Sequence, residues 1–504
     1  MEESTLRGNA FAKNVRRYGW IAYLLLISVV IALFAFQSSP LYPINTWVDP
    51  NCFLTVGRVM ADGKVLYRDI YEQKGPYVFF LHAFVAMFSD TSFLGIWFFE
   101  IINLFFCMLL IAKIVGLYGY RRFVCLFIAT LVGLSACFSY AMVSGDGVEE
   151  FASVGYIWLL YITVKNIKQK KDFTWLQYLG IGITAGIIFW SKFTVVGIYV
   201  GWFAYFAWKN IRLKKYKEIG KALLWITGGI ALVTLPCLIY FMYHHAVGDW
   251  WTTYIYNNLF LYNEGDGIFI KIGRMIKAIL LTLVANPQYN LLALFGVVWF
   301  ALKKKGDERW FLTWIFPIMT IVLYIGGRGY RYYGLPLYTF SVFGWISLLE
   351  VFQEKSVLFL KRLSTVAMAI MVSISLVFFF VNGNQHYIFR DKEDTAQYQV
   401  AQYIKEHGDD DPTLLTWGML DSGFYLATEQ IPPFKHFNKL NIPLQEMYDE
   451  VQRYMDEGLA DFIIYCVDKY GNAMKEHPRY EKVATFEGWA LNNKHTYILY
   501  QLKA

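Results

Sequence analysis

The chain has 504 residues, of which 57% are hydrophobic, 19% are aromatic and only 17% are charged. Soluble domains carry about 25% charged residues, so this composition excludes an ordinary soluble protein and indicates a membrane protein. The net charge of +7 gives no indication of nucleic-acid binding. Lys and Arg cluster in short loops between apolar runs, where basic residues orient a membrane protein.

The distribution of charge divides the chain into two domains. Residues 1–382 consist mostly of apolar runs and predict a transmembrane domain, whereas residues 383–504 have the composition of a soluble domain. Basic residues before the first run place the N-terminus in the cytoplasm, and the run itself predicts a retained anchor. The apolar runs are 19–36, 94–117, 123–143, 152–164, 174–191, 193–208, 222–243, 288–302, 310–325, 335–352 and 363–381.

The basic loops set the topology. They all face the cytoplasm, as the positive-inside rule requires, when two further apolar stretches, 76–89 and 268–286, do not cross the membrane fully. The second stretch carries Lys271, Arg274 and Lys277 at helical spacing, which is typical of a helix in the interface. This arrangement of the basic loops predicts an α-helical polytopic membrane protein with about eleven spans, a cytoplasmic N-terminus and an extracytoplasmic C-terminus. If both stretches cross, the count is about thirteen.

Polar loops collect on the face that this topology places outside. The cytoplasmic loops hold mainly lysines, with no comparable mixture of aromatic and charged residues. This asymmetry predicts an active site at the outer membrane surface, with the first outer loop as its catalytic loop. The outer loops are 37–75, 144–150, 244–267 and 326–334.

The tail from residue 383 alternates helical and strand patterns. Acidic residues at the start of 392–406 and apolar residues at helical spacing predict one helix there. A second helix is predicted at 442–457. Short apolar runs predict strands at 413–417, 462–466 and 496–501. The pattern indicates a small extracytoplasmic α/β domain, and it contains no glycine-rich phosphate loop and no nucleophile elbow.

Four charged residues of the first outer loop are candidates for chemistry. Asp49 lies where the chain leaves the first span and starts a new helix, so its carboxylate fits either an N-cap or a general base. Lys74 fits either a lysine that reaches the membrane surface or a cation that binds a departing phosphate. Arg68 and Asp69 fit either a local ion pair or a pair of substrate contacts.

The loop 144–150 brings three carboxylates together. Asp146, Glu149 and Glu150 fit acids at a helix N-terminus, or ligands of a substrate hydroxyl or a metal. No Cys or His spacing typical of zinc occurs. The sequence therefore predicts no metal ligand and no certain cofactor, and a divalent cation stays open.

The late loop 326–334 places two arginines among aromatic residues. Arg328 and Arg331 suit bidentate binding of a phosphate. Tyr330 and its neighbouring tyrosines fit either this site or an ordinary interfacial belt. No Walker motif or dinucleotide fingerprint occurs, which argues against a nucleotide-driven pump.

The segment 45–88 resembles the corresponding part of the GT-C superfamily of polyprenyl-phosphate-sugar-dependent glycosyltransferases. Within that superfamily it is most similar to the bacterial relatives of the protein O-mannosyltransferases and to the lipid A aminoarabinose transferases. That family places an Asp-Glu pair after the first span, then a stretch that ends in Gly, Tyr, Asp and Lys-Pro-Pro. The matching positions here are Asp49-Pro50, Gly63, Tyr67, Arg68-Asp69 and Lys74-Gly75-Pro76.

Two later loops extend this resemblance, and two positions depart from it. The acidic residue that the family tends to show in the next outer loop is matched by Asp146, Glu149 or Glu150. The aromatic and basic loop late in the membrane domain is matched by residues 328–333. Pro50 stands in place of the second acid of the pair, and Gly75 in place of the first proline.

The resemblance implies a GT-C fold and a donor sugar carried on a polyprenyl phosphate. It implies inverting transfer to a cell-envelope acceptor, which is a polysaccharide, teichoic acid, glycolipid or protein. Asp49 would be the general base, and cationic side chains would stabilise the leaving phosphate. Acidic side chains would orient the acceptor or the donor sugar, and Arg68 and Tyr330 complete the substrate-binding set. The implied cations are Lys74 and one or both of Arg328 and Arg331, and the implied acids are Asp69, Asp146, Glu149 and Glu150.

Two other classes of function stay open. A transporter or flippase of a lipid-linked sugar needs polar residues at mid-membrane depth, whereas the polar residues here concentrate at the outer ends of the spans. A non-catalytic envelope scaffold would use the C-terminal domain as a binding module. An enzyme loses function when Asp49 or Lys74 alone is changed, and a scaffold does not.

Overall fold

The computed structural model describes residues 2–261, 267–353, 387–440, 442, 444–467, 477–490 and 493–503, with isolated positions between 365 and 377. The predicted domain boundary at 382/383 lies outside these residues. Most of the predicted last span, 363–381, and part of the loop 244–267 lie outside them as well.

The described part of the chain up to residue 353 is mostly helical, as its long apolar runs predict. Three short 3-10 helices, Tyr140–Met142, Phe193–Val196 and Arg331–Phe340, and a π-helical stretch, Trp251–Leu261, connect the α-helices. The α-helices of this part are α1 (Glu2–Ala35), α2 (Val48–Ala61), α3 (Pro76–Ala86), α4 (Leu94–Gly116), α5 (Arg122–Cys137), α6 (Val148–Gln169), α7 (Trp175–Phe189), α8 (Gly197–Arg212), α9 (Tyr216–Tyr243), α10 (Val247–Trp250), α11 (Ile268–Ala285), α12 (Pro287–Lys303), α13 (Gly306–Tyr324) and α14 (Ser341–Gln353).

Several of these helices are suited to the membrane. Four described segments are long and apolar enough to cross it: Tyr18–Ala35, Leu94–Gly116, Tyr216–Tyr243 and Arg331–Gln353. The helices α3, α5 and α7 are apolar but shorter. The chain is therefore a multi-pass membrane protein. The count of about eleven spans and the orientation stay predictions.

Glycines bring neighbouring helices into close contact. A Cβ on Gly182 of α7 would lie 2.1 Å from the carbonyl oxygen of Ile226 in α9. A Cβ on Gly229 of α9 would lie 2.3 Å from the carbonyl oxygen of Leu179 in α7. Small residues at such crossings let backbones approach and gain van der Waals contact, which holds helices together where lipid removes the hydrophobic driving force.

The described residues of 387–503 form a four-stranded mixed sheet with helices, which we call the sheet region. Its strands are β1 (Leu414–Trp417), β2 (Phe462–Val467), β3 (Tyr480–Ala490) and β4 (Asn493–Leu502), and its helices are α15 (Ala396–His407), α16 (Phe424–Ala427) and α17 (Gln445–Glu457). The strand order is β1-β2-β4-β3, with β1 and β2 parallel and the other pairs antiparallel. The helices and strands predicted for this tail are all present. The structure adds β3, which the sequence did not predict.

The sheet region docks on α2, the helix that begins beside Asp49. The Arg58 guanidinium donates hydrogen bonds to the carbonyl oxygens of Tyr425, Glu429 and Gln430 at 2.8–3.1 Å. One turn earlier, Thr55 Oγ1 donates to Asp421 Oδ2 at 2.7 Å. These buried contacts satisfy carbonyls at the end of α16, and buried polar groups are stable only when paired in this way. They fix α2 against the sheet region.

Candidate active site

A cleft of about 210 Å³ opens where five segments meet: the start of α2, residues 72–74, residues 191–194, residues 254–259 and the loop 323–333. Two leucines of the sheet region, Leu420 and Leu440, form part of its wall. Among the described residues, the charged side chains that line it are Asp49, Glu72, Lys74, Lys192 and Arg328, and the tyrosines are Tyr254, Tyr330, Tyr332 and Tyr333. The cleft thus brings together four of the residues that the sequence analysis selected: Asp49, Lys74, Arg328 and Tyr330.

Asp49 lies in the first turn of α2, which starts after Trp47 in an extended conformation. Its carboxylate oxygen Oδ2 lies 3.5 Å from Lys74 Nζ, and both side chains are about one-sixth exposed. The Asp49 carboxylate thus lines the cleft beside the Lys74 ammonium, in a position from which it could accept a proton from a bound hydroxyl.

The residues before α3 carry Lys74 into the cleft through a close backbone contact. Gly75 N donates to the carbonyl oxygen of Ser191 at 2.9 Å, and Tyr67 Oη donates to the carbonyl oxygen of Lys74 at 2.5 Å. A Cβ on Gly75 would lie 1.9 Å from the carbonyl oxygen of Trp190. Gly75, which replaces a proline of the family pattern, is thus the residue that lets the two lysine-bearing segments meet.

Glu72 is a cleft carboxylate that the sequence analysis did not select. It is 3% exposed, and its Oε2 accepts a hydrogen bond from Lys74 N at 2.8 Å. Burial raises the pKa of Glu72 above its usual value, and the Lys74 charge opposes that rise. Its position two residues before Lys74 is the signal that the sequence offered.

Lys192 is a second lysine of the cleft, and the sequence analysis did not select it. Its Nζ lies 2.5 Å from Glu149 Oε1 and 4.6 and 4.1 Å from the ring centroids of Tyr332 and Tyr333. Burial lowers the pKa of Lys192, whereas Glu149 and the ring faces favour its charged form. The available signal was a single lysine between the apolar runs 174–191 and 193–208.

The late arginine loop contributes one of its two arginines to the cleft. Arg328 and Tyr330 line the cleft, and the rings of Tyr330 and Tyr332 stack at 5.5 Å. Arg331 lies instead over the ring of Tyr140, with 4.9 Å between its guanidinium carbon and the ring centroid. Tyr332 also contacts Trp47 at 5.3 Å, which links this loop to the start of α2.

The three acids of 144–150 are buried behind the cleft rather than gathered around one point. Asp146 Oδ2 lies 3.0 Å from His82 Nε2, while His82 Nδ1 lies 2.8 Å from the carbonyl oxygen of Val78. Because a carbonyl oxygen only accepts hydrogen bonds, the contact with Val78 assigns a proton to His82 Nδ1. Glu149 is bound to Lys192, and Glu150 is buried in the first turn of α6.

Arg68 and Asp69 form an ion pair with each other away from the cleft. Arg68 Nε lies 2.9 Å from Asp69 Oδ1, and Arg68 Nη1 donates to the carbonyl oxygen of His244 at 2.8 Å. The neighbouring guanidinium lowers the pKa of Asp69. Asp69 Oδ2 also accepts from Val65 N at 2.8 Å. These contacts fix the shape of the loop that leads to Lys74.

An apolar groove of about 220 Å³ adjoins the cleft at Ser191, which lines both. Its walls come from α2, α3, α6 and α7. Its apolar lining includes Phe53, Val78, Leu81, Phe151 and Ile187, and His82 and Asp146 lie at one side. A charged cleft that continues into an apolar groove suits an amphiphile with an anionic head and a hydrocarbon tail.

Comparison with solved structures identifies the fold. The apo crystal structure of ArnT from Cupriavidus metallidurans matches with a TM-score of 0.57 at 11% identity, covering 96% of this chain and 98% of that one. The chain has the ArnT fold. The undecaprenyl phosphate complex of the same protein matches with a TM-score of 0.54 at 10% identity, covering 95% of this chain and 98% of that one.

Part of a second, longer protein has a similar fold. A cryo-EM structure of a mutant of the arabinofuranosyltransferase AftD from mycobacteria matches with a TM-score of 0.52 at 11% identity, covering 97% of this chain and 42% of that one. Neither a protein-family model nor a curated protein matches the sequence. The resemblance that the short motifs indicated is confirmed at the level of the ArnT-like fold.

Proposed function

We propose that this protein is an inverting membrane glycosyltransferase that takes its sugar from a polyprenyl-phosphate donor. One observation carries the proposal: a carboxylate, Asp49, lies 3.5 Å from the Lys74 ammonium in a cleft that also holds Lys192 and Arg328. A base beside several cations is what transfer of a sugar from a phosphate requires. The ArnT-like fold supports the same class, since one ArnT structure contains undecaprenyl phosphate.

In the proposed reaction, Asp49 accepts the proton of an acceptor hydroxyl as its oxygen attacks the anomeric carbon. The new carbon–oxygen bond forms on the face opposite the bond to the phosphate oxygen, which breaks and takes the electron pair. The sugar is therefore transferred with inversion. The lipid phosphate leaves as an anion and needs no proton, so cations alone stabilise it.

Lys74, Lys192 and Arg328 are the proposed phosphate ligands. All three line the cleft, and the arginine fork suits two phosphate oxygens at once. Arg331 packs on the Tyr140 ring and is not assigned to the phosphate. The Arg68–Asp69 ion pair shapes the loop and is not assigned to the substrate. Tyr330 and Tyr332 offer ring faces at the cleft wall where the sugar would lie.

The apolar groove beside Ser191 is the proposed path of the isoprenoid chain. Its lining is mostly hydrocarbon and aromatic, which suits a polyprenyl tail. The basic loops orient the protein with its N-terminus in the cytoplasm, and the cleft and the sheet region then face outward. The acceptor is a molecule of the cell envelope: a polysaccharide, a teichoic acid, a glycolipid or a protein.

Transfer of labelled sugar tests the proposal. Purified wild-type protein is incubated with cell-envelope fractions and a panel of polyprenyl-phosphate sugars. We expect label to appear in an envelope acceptor with at least one donor, together with free polyprenyl phosphate. If no donor is consumed across the panel while the folded protein moves a lipid-linked sugar across vesicles, transport replaces transfer as the function.

A further inference from the structure

A buried histidine of the sheet region has unsatisfied ring nitrogens. His436 lies between α16 and α17 and is 1% exposed. Within the described part of the chain, neither Nδ1 nor Nε2 has a hydrogen-bond partner. The carboxylate oxygen Glu450 Oε2 lies 3.5 Å from Nε2, at the limit of contact. Buried polar groups are nearly always paired, so an unpaired imidazole calls for an explanation.

Two carboxylates of α17 face this histidine. Glu446 and Glu450 are four residues apart, so they lie one above the other on the same side of the helix. One ligand atom from each of the three residues lies within 4.8 Å of the other two. Glu450 Oε2 also accepts from Tyr454 Oη at 2.8 Å, which holds that carboxylate in place.

We propose that His436, Glu446 and Glu450 bind a first-row divalent transition-metal cation, of which Zn²⁺ is the natural probe. One imidazole and two carboxylates suit zinc better than Mg²⁺ or Ca²⁺, which prefer oxygen ligands alone. Metal–ligand bonds of about 2.0–2.2 Å bring ligand atoms to roughly 3.4 Å from one another. Glu446 is exposed and can turn inward to close the remaining distance. Water would complete the coordination.

The site contacts the loop that supplies part of the cleft. The Tyr71 ring contacts the His436 ring at 5.0 Å, and Tyr71 N donates to the carbonyl oxygen of Lys435 at 2.9 Å. Asn257 Nδ2 donates to Tyr71 Oη at 3.0 Å. The next residue, Glu72, lines the cleft. A bound ion would therefore fix the sheet region over this loop, a structural role that does not depend on the proposed transfer reaction.

Metal content and affinity test this site in the purified full-length protein, prepared without a histidine tag. Wild type is expected to retain a single Zn²⁺ ion after dialysis against metal-free buffer, and to show a higher unfolding temperature with Zn²⁺ than with chelator. Glu446→Gln and His436→Gln are each expected to weaken Zn²⁺ binding by about tenfold or more, since even outer-shell changes cost 10–100-fold.

His477→Gln is the matched control. His477 Nε2 lies 3.0 Å from Asp456 Oδ1 of the same helix, a histidine–carboxylate pair outside the proposed cluster. This variant should bind Zn²⁺ as wild type does. Glu446 is exposed, so its variant stays informative if His436→Gln does not fold. The proposal is wrong if wild type binds no Zn²⁺, if Glu446→Gln binds it with wild-type affinity, or if only the control loses it.

Discussion

At the level of single residues, the cleft contains side chains of opposite charge, and substitutions can test the role of each one. Lys192 and Glu149 form a buried pair, so removal of the lysine alone would leave an unpaired buried carboxylate and destabilise the fold. A double change avoids this cost because both charges disappear together.

The double variant Lys192→Met/Glu149→Gln is predicted to fold and to lose affinity for undecaprenyl phosphate. A hydrogen bond to a charged group contributes about 1.5–3 kcal/mol, so the dissociation constant should rise roughly ten- to hundredfold. Binding to the detergent-solubilised protein measures this. The control is Lys168→Met/Glu308→Gln, which removes an ion pair with the same 2.5 Å separation. Equal affinity for undecaprenyl phosphate in the two double variants would show that Lys192 does not bind the phosphate.

Glu72 gives the stability of the protein a pH dependence. Burial raises its pKa in the folded state, so the carboxyl contributes stability that is fully present below its unfolded pKa of about 4.3. That contribution is lost as pH rises through the raised folded pKa, by about 1.4 kcal/mol for each unit of pKa difference.

Glu72→Gln lacks this titration and keeps an oxygen that accepts from Lys74 N. Its unfolding temperature relative to wild type is therefore expected to increase between pH 4 and pH 8. Thermal unfolding across that range measures the difference. A difference that stays constant with pH would mean that the Glu72 carboxyl titrates normally.

At the scale of elements, the meeting of residues 72–75 with residues 190–192 forms the cleft. It depends on one glycine, because a Cβ at position 75 would lie 1.9 Å from the carbonyl oxygen of Trp190. The sequence marked Lys74 as a candidate. Nothing in the sequence paired Lys74 with Lys192, because Lys192 follows 118 residues later and only the packing of the helices brings the two segments together.

Gly75→Ala is predicted to push the two segments apart. Overpacking of this kind costs about 1–3 kcal/mol, and the displaced Lys74 should bind the lipid phosphate more weakly. Unfolding temperature and undecaprenyl phosphate affinity are the readouts. Gly248→Ala is the control, because its Cβ would meet open space. If Gly75→Ala matches the control in both, the close approach does not shape the cleft.

Element types were readable from the sequence where the periodicity was strong. Apolar runs predicted the helices, and the pattern of the tail predicted β1, β2 and β4. Strand β3 (Tyr480–Ala490) was missed because it lies at the sheet edge and carries charged residues such as Glu481 and Glu487, as edge strands commonly do. The His436 cluster was missed because nine residues lie between the histidine and Glu446, and only the fold brings their side chains together.

At the scale of the whole molecule, the ArnT-like fold places a charged cleft beside an apolar groove and beneath a sheet region. The short motifs of the first loop were enough to indicate this fold. The candidates from the first loop and from the late loop 326–334 fall into two groups: Asp49, Lys74, Arg328 and Tyr330 share the cleft, whereas Arg68, Asp69 and Arg331 make other contacts. Spacing along the chain cannot separate the two groups, because both lie in the same polar loops.

The role of Asp49 as the general base is tested most directly by the rate at which Asp49→Asn removes labelled sugar from its polyprenyl phosphate. The amide keeps the size of the side chain but cannot take a proton, and general-base catalysis contributes typically 10²–10⁴-fold. We expect the variant to bind undecaprenyl phosphate but to transfer sugar at least about a hundredfold more slowly than wild type. Asp62→Asn, at the other end of α2, is the control and should transfer normally. Wild-type transfer by folded Asp49→Asn would contradict the assignment of the base.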